Sequence, residues 1–322
     1  EQKQWGLAMG HFKKIPQKSA WHAKAVYQSA WCERRKGDRL AAKKHYNALL
    51  TDHADSPLFV YTAIELAELE FEAGEIDEAA KRLEKLLELG LEPKLKGRAQ
   101  YRLGWCYFER KSHGKAAQIF EQVSNGPVMD VWMTALWQAG ESRLRAKEYA
   151  AASAHFKKVA QAAKPIEKNL IQLQEQAWLR LGDSQALAGK WMDSGSAFAL
   201  FIKNNPKHNS TRDAYLGLGN ALRQQQLYGE AIAAFGELLN ANKLDELGAE
   251  SQFLRGECYL DQKKYQQAID EYSKVKQYPF KAWQAKALYE LAVALERKGD
   301  RAKANEQFER LVLEYPNTEA AR

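Results

Sequence analysis

Histidine and cysteine are the residues of this 322-residue chain best suited to metal binding or covalent chemistry, but their spacing supports neither. The seven histidines are scattered, and none falls in a His-Glu-x2-His pattern. Cys32, Cys106 and Cys258 form no Cys-x2-Cys pair, and closely spaced ligands of these kinds are the usual sequence signature of a zinc site. Each cysteine instead follows a small residue by two positions at one recurring register. We therefore predict no metal site and interpret the cysteines as small apolar side chains packed between helices.

Motifs for nucleophilic or nucleotide chemistry are missing from the sequence. It has no Gly-x-Ser-x-Gly, no phosphate-cradling Gly-Lys-Ser/Thr loop and no dinucleotide fingerprint. Acid pairs such as Glu68 and Glu72 stand at helical spacing on a polar face, which is typical of solvated charge rather than acid–base catalysis. The sequence therefore predicts a protein that is not an enzyme and needs no cofactor.

The net charge of +7 is unevenly distributed along the chain. Residues 1–50 carry eleven basic and three acidic side chains, whereas residues 51–92 carry twelve acidic and three basic ones. Two interpretations stay open: solvated helix faces, or electrostatic steering of an acidic partner to the basic segment. The chain has no apolar run long enough to span a bilayer, so we predict no transmembrane segment.

A small residue recurs along the chain at a nearly fixed step of 36 or 37 residues, with one step of 42. These anchors are Ala30, Ala67, Gly104, Gly140, Gly182, Gly219, Gly256 and Ala292. A second small residue follows each anchor by twelve positions, and a large apolar residue follows it by sixteen. A period in this range indicates stacked supersecondary units.

The repeat around Gly104 indicates how one unit is built. Apolar residues before and after Gly104 follow helical spacing, residues 111–114 break the pattern, and a second amphipathic run begins near Ala116. Gly126 and Pro127 then end that run. We predict two short antiparallel helices whose axes approach closely at the two small residues, with Phe120 and its equivalents filling the gap.

This spacing resembles the tetratricopeptide repeat, whose pattern is W-x2-L-G-x2-Y followed by Ala, Phe and Pro. Trp178-x2-Leu181-Gly182 and Tyr215-x2-Leu218-Gly219 fit it best, and eight repeats match in register over residues 20–316. The resemblance implies an all-α fold. It would be an α-solenoid of about eight antiparallel helix-turn-helix repeats forming a right-handed superhelix.

The long step divides the predicted array in two. We expect an N-terminal array over 1–163 (a partial repeat at 1–19, then four repeats), a lengthened connection over 164–174, and a C-terminal array over 175–322 (four repeats plus the start of a further helix). Both ends are expected to cut through a longer array. The long steps also resemble bacterial cell-envelope relatives, including TolA-binding and outer-membrane-assembly lipoproteins. That resemblance implies a periplasmic or cell-envelope location, with the cytoplasm as the alternative.

In this family the first helix of each repeat forms a concave wall. Carrying its positions over predicts a partner-binding groove within residues 24–145, formed by Tyr27, Trp31, Arg34, Arg35, Phe71, Arg98, Tyr101, Arg102, Trp105, Phe108, Trp137 and Arg145. Aromatic rings beside arginines suit peptide binding. For Tyr27, Tyr101 and Trp137, packing against a neighbouring helix is an equally open interpretation.

Some relatives grip a peptide's C-terminal carboxylate with a two-carboxylate clamp. Arg98-x3-Arg102 resembles one part of it, but Tyr27, Trp31 and Glu65 stand where its other residues belong. We therefore predict that this clamp is absent.

Three functions follow as hypotheses. The first is a non-catalytic interaction scaffold that binds a peptide or protein, with an acidic partner as one expectation, within a bacterial envelope assembly. The second is binding of nucleic acid or another anionic polymer through the basic first repeat, with Trp31 stacking on bases; the acidic second repeat argues against it, because it would repel phosphates. The third is a structural spacer between domains outside these residues.

Overall fold

The computed structural model describes residues 2–126, 131–163, 165 and 167–321. Over those residues the secondary structure is helical and contains no strand, which confirms the all-α prediction. The described α-helices are α1 (Gln2–Phe12), α2 (His22–Lys36), α3 (Arg39–Asp52), α4 (Phe59–Glu72), α5 (Ile76–Leu87), α6 (Pro93–Glu109), α7 (His113–Ser124), α8 (Trp132–Arg145), α9 (Tyr149–Ala160), α10 (Lys168–Leu187), α11 (Trp191–Asn204), α12 (Thr211–Gln224), α13 (Tyr228–Leu239), α14 (Glu246–Asp261), α15 (Tyr265–Lys274), α16 (Lys281–Lys298) and α17 (Arg301–Glu314).

The helices after α1 follow one another as eight pairs in the described chain, each joined by a turn of two or three residues. The second helix of a pair packs against the first helix of the next one for α3, α5, α7, α11, α13 and α15. First helices of successive pairs also touch, as α4 and α6 do. This is the stacked arrangement that the repeat period predicts, because each pair buries its apolar face on its neighbours.

The small anchors permit close packing of an aromatic ring within each repeat. A methyl group at Gly104 would lie 2.7 Å from Cε1 of Phe120, and one at Gly219 would lie 2.4 Å from Cε1 of Phe235. Both rings are fully buried. The prediction that the residue sixteen positions after the anchor fills the gap beside it is therefore confirmed at these repeats.

The turn inside each repeat passes through a residue with positive φ, seven positions after the anchor. Four of these residues are glycines and four carry side chains: Gly37, Gly74, Gly189 and Gly299, and Lys111, Lys147, Gln226 and Lys263. At Gly37 the φ is 90°, its N–H donates to the Arg34 carbonyl, and the N–H of Asp38 donates to that of Glu33. The left-handed residue thus satisfies the last carbonyls of the first helix. The equivalent lysines and glutamine adopt the same left-handed backbone conformation, which residues other than glycine rarely take.

The chain divides into two compact units, Glu1–His155 and Phe156–Arg322, called here the N-terminal and C-terminal units. The connection predicted over 164–174 is shorter than expected, because residues 168–174 form the first turns of α10. The inserted residues therefore lengthen a helix of 20 residues. Lys164 and Ile166 lie outside the described residues. The predicted division into arrays 1–163 and 175–322 stays a prediction.

The three cysteines are free and buried, in agreement with their interpretation as small apolar side chains. Burial raises the pKa of the Cys106 thiol to about 11 and that of Cys258 to about 12. Thiols with such a high pKa carry little of the reactive thiolate form at neutral pH. Their surroundings therefore favour packing over nucleophilic chemistry.

Candidate partner-binding surface

The predicted site residues lie on α2, α4, α6 and α8, the first helices of four successive repeats in the N-terminal unit. We call the exposed and half-buried side chains of these helices the first-helix wall. Two of its arginines are already paired with carboxylates of α4. Arg34 donates to Glu65 at 2.5 Å and to Glu72 at 2.8 Å, and Arg98 lies 3.3 Å from Glu65 and 3.5 Å from Glu68.

This cluster changes the charge that the wall presents. Burial by itself would lower the pKa of the Arg34 guanidinium, but Glu72 and Glu65 raise it above its usual value. The side chains of Arg34 and Glu65 are only 24% and 16% exposed. Part of the opposite charge of the first two repeats is therefore neutralised across the contact between them, where Arg34, Arg39 and Lys43 pair with glutamates of the second repeat.

Three further arginines of the wall lie over aromatic rings. Their guanidinium carbons are about 5 Å from the ring centroids: Arg35 over Trp31 at 4.8 Å, Arg102 over Phe71 at 4.8 Å and Arg145 over Phe108 at 5.0 Å. Arg35 and Arg145 are exposed and Arg102 is half-buried. Such stacking fixes the plane of a guanidinium while leaving N–H groups at its edge for other partners.

The aromatic residues of the third repeat form a cluster with the core. Tyr101 and Trp105 both contact the buried ring of Phe120 edge-on, with centroids 5.6 and 5.9 Å away. Trp105 also meets Phe108 at 5.6 Å. The rings of Tyr101, Trp105 and Phe108 are half-buried. Each of them is therefore partly packed inside the repeat and partly exposed on the wall.

The rings of the first repeat, which are also half-buried, have aromatic partners of their own. Tyr27 packs on the buried ring of Tyr46 at 5.9 Å, and burial followed by the charge of Glu65 raises its pKa. Trp31 is met edge-on by Trp5 of α1, with centroids 5.0 Å apart. This contact of α1 was not predicted, since residues 1–19 were treated as an incomplete repeat. The signal in the sequence that could have predicted this contact is Trp5, an aromatic residue in an amphipathic segment just before the first repeat.

Trp137 is half-buried in α8. The structure thus brings the predicted residues of α2, α4, α6 and α8 onto one series of first helices. These residues fall into three classes: arginines paired with carboxylates, arginines stacked on aromatic rings, and aromatic rings that are partly buried in the core.

Within the described residues no group of three or more histidine, cysteine, aspartate or glutamate side chains is placed to hold a metal ion. His22 Nδ1 and His53 Nε2 lie 2.8 Å apart, a contact between two histidines that their separation of 31 residues does not predict. Among the helices of the described ranges, none is both long and apolar enough to cross a membrane.

A sequence profile for the tetratricopeptide repeat matches residues 64–128, 179–244 and 216–282, which together make up more than half of the chain. A second tetratricopeptide repeat profile matches residues 24–56 and 286–318. The chain belongs to the tetratricopeptide repeat family. Proteins of this family generally mediate protein–protein interactions, and the fold typically serves as a non-catalytic scaffold.

Solved tetratricopeptide repeat structures share the fold at low sequence identity. The C-terminal part of a repeat-containing protein from Cytophaga hutchinsonii is 15% identical, with a TM-score of 0.59 over 80% of this chain and 97% of that one. A signal transduction ATPase with numerous domains and a tetratricopeptide repeat sensor, from Pyrococcus horikoshii, is 16% identical, with a TM-score of 0.53 over 98% of this chain and 53% of that one. No curated protein sequence matches the chain.

Proposed function

We propose that this protein is a non-catalytic scaffold that binds a peptide segment of a partner protein along the first-helix wall of the N-terminal unit. The observation that carries the proposal is the set of half-buried aromatic rings with guanidinium groups lying over them. Rings held by the core supply contact area at a small entropic cost, and arginines supply directed donors. The face is the one that the family uses as its concave wall.

The charge left on the wall favours an acidic partner. Arg34 and Arg98 are occupied by glutamates, whereas Arg35, Arg102 and Arg145 have no carboxylate within 4.0 Å among the described residues. Complementary charge increases association rates and selects partners.

Binding of single-stranded nucleic acid is the weaker candidate. Such binders stack bases on free aromatic faces along a continuous basic groove. Here Arg35 covers a face of Trp31, Trp5 meets its edge, and glutamates of α4 interrupt the positive charge. A location in the bacterial envelope, implied by resemblance to envelope repeat proteins, stays a prediction, and so does the role of a spacer between other domains.

Selection of peptides followed by site-directed crosslinking tests the proposal. Random peptides displayed on phage are selected on the protein, and photo-crosslinkers are introduced at Glu109 or at Gln118. Glu109 is an exposed residue at the wall end of α6. Gln118 is an exposed residue of α7 that lines a separate cleft of about 770 Å³.

Selected peptides should crosslink from position 109 and not from position 118. Crosslinking from 118 alone would move the site to the cleft and refute binding on the wall. A selection that enriches no peptide would refute peptide binding itself.

A further inference from the structure

The basic residues of the first repeat and of the segment before it divide into paired and unpaired groups. Arg34, Arg39 and Lys43 pair with glutamates of the second repeat, and Lys36 pairs with Glu33 of its own helix. Five lysines are exposed and, among the residues that the structure describes, have no ion pair: Lys13, Lys14, Lys18, Lys24 and Lys44. The contact between the repeats therefore leaves a part of the positive charge facing solvent.

Four of these lysines lie on a short stretch of chain that contains no acidic residue. The sequence has no aspartate or glutamate from residue 2 to residue 32. Between α1 and α2 the backbone forms successive turns, in which the N–H of Lys14 donates to the His11 carbonyl and the N–H of Ser19 donates to the Pro16 carbonyl. The lysines of this connection are thus held on compact turns at the surface.

The fifth lysine lies on the same side of the molecule. Burial lowers the pKa of His45 on α3, the charge of Glu33 opposes that effect, and the charges of Lys13 and Lys44 lower the pKa further. Both ammonium groups therefore lie near one imidazole, although they come from different helical segments. Lys44 adds its charge to that of the connection.

Trp21 supplies an apolar group beside these charges. It is the N-cap residue of α2 and is 64% exposed, although tryptophan is highly buried on average. The ammonium group of Lys24 lies 5.4 Å from the centre of its ring. Tryptophan with neighbouring lysines is typical of the boundary between lipid headgroups and hydrocarbon. We call Lys13, Lys14, Lys18, Trp21, Lys24 and Lys44 the lysine–tryptophan patch.

We propose that the lysine–tryptophan patch binds the surface of a membrane that contains anionic lipids, with Trp21 inserted among the headgroups. The inference goes beyond the proposed function and does not depend on it, since Lys24 is the one patch residue on a first helix. Lipids diffuse within a bilayer, so binding needs no fixed spacing between the lysines. Each lysine near an anionic bilayer increases the affinity by about fivefold.

The surroundings of the patch reduce its charge without reversing it. Asp52 and Asp55 are exposed and line a cleft of about 310 Å³ together with Ser19 and Ala20, next to Trp21. They would repel anionic headgroups, but the five lysines outnumber them. Single-stranded nucleic acid fits the patch less well, because it stacks successive bases on several rings, whereas the patch offers one ring with Lys24 beside it.

Sedimentation of the protein with sucrose-loaded vesicles tests the inference. Vesicles of phosphatidylcholine are compared with vesicles of equal parts phosphatidylcholine and phosphatidylglycerol. We expect partitioning onto the anionic vesicles to be at least about tenfold stronger and to weaken as the salt concentration rises. Lipids brominated on the acyl chain should quench tryptophan fluorescence in the wild type, and most of that quenching should be lost in Trp21→Phe.

Substitution of the lysines tests the charge of the patch. A triple variant with Lys13→Gln, Lys14→Gln and Lys18→Gln should weaken partitioning onto anionic vesicles by about a hundredfold. The matched control removes the same charge from three exposed lysines of α5 and α6, through Lys81→Gln, Lys94→Gln and Lys96→Gln. This control should weaken partitioning by less than about threefold, because its lysines lie outside the patch.

Two further variants test the ring and the aspartates. Trp21→Ala should weaken partitioning by about tenfold, because the apolar ring no longer leaves water. A double variant with Asp52→Asn and Asp55→Asn should strengthen partitioning onto anionic vesicles and leave partitioning onto phosphatidylcholine unchanged. A loss of folding would not produce that selective gain, so this variant decides even if a lysine variant does not fold by circular dichroism.

Four results would overturn the inference. They are equal partitioning onto the two kinds of vesicle, equal weakening by the control triple variant, wild-type partitioning of Trp21→Ala, and tighter binding of a twelve-nucleotide oligothymidine than of anionic vesicles at the same phosphate concentration. The last result would assign the patch to nucleic acid. None of them bears on peptide crosslinking from position 109, which tests the proposed function separately.

Discussion

Gly219→Ala tests whether the small anchors are required by packing or are merely tolerated. A methyl group at Gly219 would lie 2.4 Å from Cε1 and 2.7 Å from Cδ1 and Cζ of Phe235. Carbon atoms in contact are about 3.5–4.0 Å apart, so the ring or the helix must shift by about 1 Å. The ring cannot move freely, because Phe235 is fully buried in a cluster that includes Ala231 and Cys258.

The magnitude follows from two opposing effects. Overpacking a well-packed core costs about 1–3 kcal/mol, and this contact is short enough for the upper part of that range. Replacing a helical glycine with alanine contributes about 1 kcal/mol in the other direction. The net expectation for Gly219→Ala is a loss of about 1–2 kcal/mol in the stability of its repeat.

Gly236→Ala is the matched control in the same repeat. Gly236 lies in α13, and a methyl group there would have nothing within 4 Å. Only the helical preference then acts, so this variant should gain about 0.5–1 kcal/mol.

Hydrogen exchange measured by mass spectrometry suits both variants, because repeat arrays open locally and need not unfold as one unit. Amides of α12 and α13 should exchange about tenfold faster in Gly219→Ala and more slowly in Gly236→Ala than in the wild type. Exchange in Gly219→Ala as slow as in the wild type would show that close packing of the Phe235 ring does not require a small residue at the anchor.

Three further predictions concern single side chains. Gln226→Gly should increase the free energy of unfolding by about 0.5–1 kcal/mol, because Gln226 has a φ of 62° that glycine adopts at no steric cost. The increase is measured as a higher midpoint of unfolding in urea. Asp245→Asn keeps an N-cap on α14 but loses the charge paired with Arg212, whose hydrogen bonds lower the Asp245 pKa to about 2. The loss of thermal stability should therefore be present above pH 4 and disappear as the pH falls towards 2, and Asp300→Asn should show a smaller effect because Asp300 pairs only with an exposed lysine. Reaction of Cys106 with a thiol reagent at pH 8 should be slow in the native protein and fast in urea, because burial raises its pKa to about 11.

The repeat anchors were predictable from the sequence because steric exclusion is local and recurs with the period. Each anchor is a glycine or alanine, followed by a second small residue after twelve positions and by a large apolar residue after sixteen. This pattern leaves one way to pack two short helices. The turn residues were not predictable in the same way. Lys111 and Gln226 are ordinary helix formers, and their left-handed conformation comes from the geometry of the helix pair rather than from their own preference. Comparison with Gly37 and Gly74 at the same register was the signal that could have revealed it.

The candidate site shows why residue type and register do not by themselves assign a role. Arg34 and Arg35 are consecutive and identical in type, yet neighbouring residues on a helix project about 100° apart. Arg34 therefore faces α4 and meets Glu65 and Glu72, whereas Arg35 lies over Trp31 at the exposed end of α2. The first arginine is held in the contact between repeats, and the second has no ion pair among the residues that the structure describes. Which arginines of this wall are paired is thus set by the carboxylates that the next repeat supplies, and a single acidic residue gained or lost on a first helix would change that pairing.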